Sequence, residues 1–130
     1  SGVLIVDDSR DSRTLLEELV APFASEVRTA SNGQEALRVL RTFHPDIVLL
    51  DLLMPVMDGL TFLELFRSEP RYQDVPVIVI TAKDVSGEER ERVERHTAAL
   101  LTKGNALEPD LKRALGAVLQ PAAEDTEDGR

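Results

Sequence analysis

The stretch Pro45–Gly59 reads PDIVLLDLLMPVMDG, and it decides how the rest of the chain can fold. Its first part, residues 47–50, is an unbroken aliphatic run, which is typical of a strand buried on both faces of a parallel sheet. The run ends in Asp51, and the turn signal Asp58-Gly59 then introduces a new helical pattern. Ligands of open α/β sheets bind at the edge where such strands end. Taken alone, Asp51 is as compatible with a plain strand end as with a functional group.

Outside this stretch, the chain alternates between strand patterns and helix patterns. Short apolar runs predict strands at 3–6, 47–50, 75–80 and 98–101, and a weak apolar–polar alternation predicts a more peripheral strand at 26–30. An amphipathic or polar helix pattern follows each of them. The apolar stripe expected to be buried is Leu15, Leu16, Leu19, Val20 and Phe23 in the first helix, and Leu111, Leu115, Val118 and Leu119 in the last. The expected helix starts are a cap at Ser9 or Asp11, a capping box of Ser31 with Gln34, caps at Asp58 and Ser86, and Pro109 at a first helical position. Five β–α units of this length predict a parallel sheet with right-handed connections and helices on both faces.

Composition limits the class of protein. A chain of 130 residues with 42% hydrophobic residues predicts one globular domain, which we place at 1–120, followed by an acidic disordered tail or linker at 121–130. Cysteine is absent, and the net charge of −9 argues against direct nucleic-acid binding. The sequence has no signal peptide and no apolar run of the ~18 residues that a membrane span needs, so we expect no membrane contact and a cytoplasmic location. The chain begins Ser-Gly without Met, which suggests a piece of a longer protein.

Polar side chains stand at the ends of the predicted strands. Asp7 and Asp8 end the first strand, Asp51 the third, Thr81 the fourth, and Lys103 the fifth. If the strand order is 2-1-3-4-5, the first and third strands are neighbours across the topological switch point. Three carboxylates then share one crevice, with a hydroxyl and an ammonium on its far side.

Such a cluster of acids needs a cation, since close carboxylates raise one another's pKa values. A hard divalent ion with oxygen ligands suits the crevice, and we expect Mg²⁺. With Mg²⁺ and the ammonium counted, three ionised acids sum to zero, and an incoming phosphoryl group could be accepted. A carboxylate can act as the nucleophile and form an acyl phosphate. Asp51 is the best placed acid, because it closes the central strand.

These residues resemble the receiver domain of two-component response regulators, over about residues 2–120. The resemblance rests on VLIVDD at 3–8, IVLLD at 47–51 with the following MP and DG, VIVITA at 77–82 and LLTK at 100–103. It implies an α/β fold of the flavodoxin-like, doubly wound (βα)5 class, with a five-stranded parallel sheet in the order 2-1-3-4-5.

The resemblance also implies a role for each site residue. Asp51 is expected to accept a phosphoryl group from a phosphohistidine. Asp8 and Asp51 are expected to bind Mg²⁺ directly, with the backbone carbonyl of Leu53 as a further ligand and Asp7 acting through a metal-bound water. Thr81 and Lys103 are expected to bind the phosphoryl oxygens.

The implied partner is a histidine kinase or a histidine phosphotransfer domain, and a weak homodimer is left open. Such a domain is a switch or a phosphorelay intermediate that hydrolyses its own phosphate slowly, and it is not an enzyme with an external substrate. Two positions depart from the family pattern: Gly104 replaces the usual Pro after the Lys, and Leu100 replaces an aromatic residue. We expect a trans bond before Gly104, because a cis bond without Pro costs roughly 2.5–4 kcal/mol. The Lys-Gly ending and the polar fourth helix are similar to receivers of hybrid sensor histidine kinases.

Three other functions were weighed. A phosphatase of the haloacid dehalogenase type also uses an Asp at a strand end, but it needs an acid where this chain has Leu53. A nucleotide- or flavin-binding domain would need a Gly-rich phosphate loop after the first strand, where Asp7-Asp8 would repel phosphate. A degenerate receiver that serves only as a docking module is disfavoured by the complete set of polar residues.

Overall fold

Five parallel strands form one sheet, and the computed structural model describes it within residues 1–119. The expected tail at 121–130 lies outside the described residues. The strands are β1 (Gly2–Val6), β2 (Glu26–Ala30), β3 (Ile47–Leu50), β4 (Val77–Thr81) and β5 (Ala99–Thr102). Their order is β2-β1-β3-β4-β5, with every neighbouring pair parallel. This confirms the predicted fold class and strand order.

Helices cover both faces of the sheet. They are α1 (Arg10–Val20), α2 (Gly33–Val39), α3 (Gly59–Ser68), α4 (Gly87–Arg95) and α5 (Leu107–Val118), with short 3₁₀ turns at Ala21–Phe23 and Pro70–Tyr72. Alternate residues of each central strand point to opposite sides. One set packs against α2, α3 and α4, and the other against α1 and α5. All four residues of β3 are buried, as the unbroken aliphatic run predicts.

Several helix starts differ in detail from the prediction. Ser9 caps α1 and Asp58 caps α3, each accepting a backbone hydrogen bond from three residues on, whereas Ser86 lies at the N-cap of α4 without such a bond. The capping box predicted from Ser31 with Gln34 was wrong by one residue. Asn32 is the cap, because its side chain accepts from the backbone of Glu35, and the Glu35 carboxylate returns to Ser31.

Three of the predicted strands and one helix also start elsewhere. The first strand begins one residue earlier than predicted, at Gly2. The fourth and fifth strands each begin and end later than predicted, so that Thr81 and Thr102 are their last residues. The last helix begins at Leu107, which places Pro109 at its third position rather than its first. Pro is tolerated there because the first turn of a helix has no internal partner for its N–H groups.

The buried faces of two helices are narrower than the apolar spacing suggested. Leu15 of α1 and Val118 of α5, both expected on buried stripes, are 45% and 37% exposed. Their neighbours Leu16, Leu19 and Leu115 make the contacts with the sheet instead. Among the described residues, no helix is long and apolar enough to cross a membrane.

Candidate functional site

The end of β3 places Asp51 directly beside the end of β1. Val6 and Leu50 are register partners, and the backbone N–H of Asp51 donates to the carbonyl of Val6 at 2.9 Å. Asp7 follows Val6, so the two carboxylates leave neighbouring strands at the same level. The switch point of the sheet, between β1 and β3, therefore carries the acids predicted for it.

Asp7, Asp8 and Asp51 form one cluster. Each offers a carboxylate oxygen, and these three atoms lie within 4.8 Å of one another. Asp7 and Asp51 are 1% and 5% exposed, whereas Asp8 is open to solvent. Such a mixture of two buried acids and one accessible acid allows a hydrated cation to approach from solvent.

Local backbone hydrogen bonds orient the two buried carboxylates. Oδ1 of Asp7 accepts from the N–H of Ser9 at 2.9 Å, and Oδ1 of Asp51 accepts from the N–H of Leu53 at 3.2 Å. In both residues, the remaining oxygen, Oδ2, points toward the crevice and the Lys103 ammonium. The two carboxylates are therefore held in place before any ligand arrives.

The Lys103 ammonium bridges the buried acids. Its Nζ lies 2.9 Å from Oδ2 of Asp51 and 2.9 Å from Oδ2 of Asp7, and it also donates to Oγ of Ser12 at 3.2 Å. Burial lowers the pKa of Lys103, but the contacts and negative charges of Asp7 and Asp51 outweigh it, so that the net pKa is raised. The ammonium thus stays charged in the crevice at physiological pH.

Oδ2 of Asp7 is the one buried side-chain polar atom in the described chain that lacks a hydrogen bond. The ammonium is at ion-pair distance from it, but without hydrogen-bond angles. A buried carboxylate oxygen without a directed partner costs free energy unless a cation or water binds it. The donor set of three carboxylates with an unsatisfied inner oxygen fits Mg²⁺, which prefers oxygen ligands and retains several waters.

Thr81 closes β4 and is 1% exposed. Its Oγ1 accepts from the N–H of Lys83 at 3.1 Å, and its carbonyl accepts from the N–H of Lys103 at 3.0 Å. The hydroxyl is therefore engaged with the loop that leads to α4. Thr81, Leu100 and Arg90 are among the residues that line a cavity of about 180 Å³.

The loop from β3 to α3 is packed tightly against the site. A Cβ on Gly59 would lie 2.1 Å from the carbonyl oxygen of Asp51, so only glycine fits at this helix start. Val56 has φ of 68°, and the N–H of Met57 donates across it to the carbonyl of Pro55 at 2.7 Å. This γ-turn strains a β-branched residue, and strain of that kind persists where the surroundings fix the backbone.

The structure shows the backbone at Gly104 and the packing of Leu100, the two positions that depart from the family pattern. All peptide bonds in residues 1–119 are trans, including that between Lys103 and Gly104, as expected. Gly104 has φ of 151°, a conformation that L-residues rarely adopt. Leu100 is half-buried and packs against the core on the side of α3 and α4.

The structure brings five of the predicted site residues to the same edge of the sheet. Asp7, Asp8, Asp51 and Lys103 form direct contacts or one cluster, and Thr81 ends the adjacent strand β4.

Sequence reasoning missed two residues of α1 that contact the site. Ser12 contacts the ammonium of Lys103, and the guanidinium of Arg13 donates to the carbonyl of Asp7 at 2.7 Å. No motif marks either residue, because each contact depends on how α1 lies across the sheet.

The chain is similar to known proteins in both sequence and structure. The family model described as the response regulator receiver domain matches residues 3–115. The response regulator PleD of Caulobacter vibrioides is 38% identical over 101 residues, which are 78% of this chain and 22% of that protein. The receiver domain of a signal transduction histidine kinase from Syntrophus aciditrophicus has a TM-score of 0.73 at 29% identity, covering 90% of this chain and 91% of that one. The chemotaxis protein CheY4 of Vibrio cholerae has a TM-score of 0.78 at 30% identity, covering 92% and 98%.

Proposed function

Because the chain belongs to the response regulator receiver domain family, we propose that it takes a phosphoryl group from a phosphohistidine onto Asp51. In this proposal, it acts as a Mg²⁺-dependent switch or phosphorelay intermediate. The observation that carries the proposal is the pairing of Asp51 Oδ2 with the Lys103 ammonium at 2.9 Å, beside two further acids at the switch point of the sheet. Receiver domains are signalling domains rather than classical enzymes, and no external substrate is proposed here.

Asp51 is the proposed nucleophile. A carboxylate oxygen of Asp51 attacks the phosphorus of the donor, the P–N bond of the phosphohistidine breaks, and the imidazole leaves with the bond's electron pair. The product is an acyl phosphate on Asp51. Its hydrolysis by water returns the free carboxylate and inorganic phosphate.

The other residues of the site balance charge and hold the phosphoryl oxygens. Lys103 is proposed to pair with one of these oxygens, since its ammonium is already at Asp51. Thr81 is proposed to turn its hydroxyl from the loop toward another. Positioned cations and donors of this kind supply most of the catalysis in phosphoryl transfer.

Asp8 and Asp51 are proposed to hold Mg²⁺ directly, with the carbonyl of Leu53 as a third ligand and Asp7 acting through a water. The support is the three-carboxylate cluster and the unsatisfied Oδ2 of Asp7. When bound, Mg²⁺ neutralises the charge of the acids and of the incoming phosphoryl oxygens.

The proposed partner is a histidine-bearing helical domain. Members of the family interact with histidine kinases or phosphotransfer proteins, and we propose docking on α1 near residues 10–16. Leu15 supports this surface, because it is 45% exposed and borders a cavity of about 140 Å³ next to Lys103. The chain spans about a fifth of the length of PleD, so its place in a hybrid kinase or another longer protein is also a proposal.

The first test is phosphorylation with phosphoramidate or acetyl phosphate in the presence of Mg²⁺. We expect one phosphate per chain, stable in acid and labile in base, which Asp51→Asn abolishes. Asp84→Asn is the matched control, since it removes an exposed acid from the loop after β4 and should label like the wild type. A phosphorylated histidine domain replaces the small donor in a second arm. Full labelling of Asp51→Asn would show that another residue is the acceptor.

A further inference from the structure

Lys103 presents three N–H donors to the crevice, and a side chain outside the predicted site takes one of them. The acceptors are Oδ2 of Asp51 at 2.9 Å and Oγ of Ser12 at 3.2 Å, while Oδ2 of Asp7 lies at 2.9 Å without hydrogen-bond angles. Two directed bonds therefore fix the orientation of the ammonium, and one of them goes to α1.

We propose that Ser12 is a positioning residue of the phosphoacceptor site, which holds the Lys103 ammonium in place at Asp51. The proposal rests on the proposed function, since it assigns Ser12 a role in phosphoryl uptake by Asp51. It acts through Lys103 and needs no contact between Ser12 and the phosphoryl group.

The geometry of α1 allows Ser12 to do this without a folding role of its own. Its backbone N–H donates to the capping hydroxyl of Ser9 at 3.2 Å, so the cap uses the main chain of Ser12 and leaves its side chain free for Lys103. Ser12 is half-buried and borders the cavity of about 140 Å³ between α1 and the start of α5. Nothing else in that lining offers a side-chain acceptor, because it consists otherwise of aliphatic residues, Gly104 and Lys103 itself.

The hydrogen bonds from Lys103 to Ser12 and Asp51 determine how Ser12 affects the site. A long, flexible ammonium between two carboxylates would exchange between them, and its third acceptor decides which one it prefers. Because Ser12 and Asp51 take the directed bonds, Oδ2 of Asp7 is left with only the ion pair to the ammonium at 2.9 Å. Without Ser12, the ammonium is expected to spend more time on Asp7, where it competes with the metal and is lost to the phosphoryl group.

The test compares Ser12→Ala, Ser12→Thr and the control Thr14→Ala, which changes an exposed residue of the same helix. Because Ser12→Ala removes a hydrogen bond to a charged group, it should slow labelling by phosphoramidate at least roughly fivefold. Ser12→Thr should restore most of the rate, because it returns a hydroxyl at the same position. All three variants should melt within a few degrees of the wild type, since Ala is a better helix former than Ser.

A double-mutant cycle separates positioning from any other effect of Ser12. In a Lys103→Ala background, the further change Ser12→Ala should leave the labelling rate unaltered. If Ser12→Ala slows both backgrounds equally, or neither, the proposal is overturned.

A measurement without phosphorylation keeps this inference separate from the proposed function. Side-chain relaxation at the Lys103 Cε should show an ordered ammonium in wild type and Ser12→Thr, and a more mobile one in Ser12→Ala. Unchanged order in Ser12→Ala overturns the placement of Lys103 by Ser12, even if Asp51 is labelled normally. Failure of wild-type labelling, together with the expected loss of order, would instead overturn the proposed function alone. The relaxation result also decides the matter if Lys103→Ala labels too slowly to time.

Discussion

At Gly59, the absence of a single methyl group sets the position of Asp51. The N–H of Gly59 donates to the carbonyl of Leu52 at 3.0 Å, and a Cβ there would meet the backbone of Asp51 and Leu52 at 2.1 and 2.6 Å. The start of α3 therefore lies directly on the loop that carries the phosphoacceptor candidate. Backbone atoms cannot rotate out of the way as a flexible side chain can.

Gly59→Ala should consequently destabilise the protein and displace Asp51. We expect a loss of about 1–3 kcal/mol or more in the free energy of unfolding, measured by denaturant titration, because overpacking against backbone forces the chain to shift. Gly116→Ala is the matched control, since a Cβ on this residue of α5 meets no atom within 4 Å. That control should gain up to about 1 kcal/mol from helix propensity. Equal stability of the two variants would show that the loop yields easily.

At the scale of the helix, α3 owes its start to the carboxylate of Asp58. The pKa of Asp58 is lowered mainly by the hydrogen bond from the backbone N–H of Thr61, and next by the Thr61 side chain. The positive charge of Lys83 lowers it further. A group whose pKa is lower in the folded state stabilises the fold above its unfolded pKa, near 3.9 for Asp. This stabilisation is lost as the pH falls through the lower pKa that the group has in the folded state.

Two replacements of Asp58 distinguish the contribution of its capping hydrogen bond from that of its negative charge. Asp58→Ala should cost about 1 kcal/mol at pH 7, whereas Asp58→Asn should cost only a few tenths, because Asn is an equivalent cap. Between pH 5 and pH 3, wild type should lose more stability than Asp58→Asn in chemical denaturation. Parallel pH profiles of the two proteins would mean that the charge of Asp58 contributes nothing.

Helix α4 has little apolar burial, and ion pairs add to its anchoring. Val93 is the only buried residue of α4. Two ion pairs connect the helix to its surroundings: Lys83 pairs with Glu89 at 2.6 Å, and Arg92 pairs with Glu64 at 2.7 Å. Lys83 also donates its N–H to the Thr81 hydroxyl. A turn of that hydroxyl toward a phosphoryl group would therefore release the loop that leads to α4.

Glu89→Gln should loosen α4 without any phosphate. Half-exposed ion pairs contribute about 0.2–1 kcal/mol, so amide exchange over residues 87–95 should accelerate by up to roughly fivefold, and high salt should imitate the effect in wild type. Glu91→Gln serves as the control, because Glu91 forms no ion pair within residues 1–119. Equal exchange in both variants would assign the anchoring of α4 to Val93.

For the whole molecule, the acid cluster makes stability depend on divalent cations. A ligand that binds only the native state adds RT ln(1 + [L]/Kd), or about 1.4 kcal/mol at ten times its Kd, which raises the Tm by several degrees. Mg²⁺ should have this effect in thermal melts. Asp8→Asn should be more stable than wild type without metal, because repulsion falls, and should lose most of the shift. Asp11→Asn removes an exposed acid outside the cluster and should retain it; a similar shift in both variants would place the metal elsewhere.

The sequence predicted the layers of the molecule better than its contacts. Aliphatic runs such as residues 47–50 have few alternatives to a buried strand, and the acids after them follow from parallel topology. The cap of α2 was misplaced because Ser31 and Asn32 are adjacent and both suit the position. Leu15 was wrongly assigned to the core because apolar spacing does not give the rotation of a helix. The contact of Ser12 with Lys103 joins residues 91 apart, and no local pattern encodes it.

That long separation has a consequence for the newly made chain on the ribosome. Residues 7, 51 and 103 follow the first, third and fifth strands along the sequence, and Lys103 is made only after β5. Contacts between distant residues form late, since the intervening chain must be ordered first. A nascent chain that ends before residue 103 therefore has the acids but no ammonium to hold them together. If Asp51 and Lys103 act as proposed, competence to receive a phosphoryl group arises only after β5 has been made, and a product truncated before residue 103 should lack it.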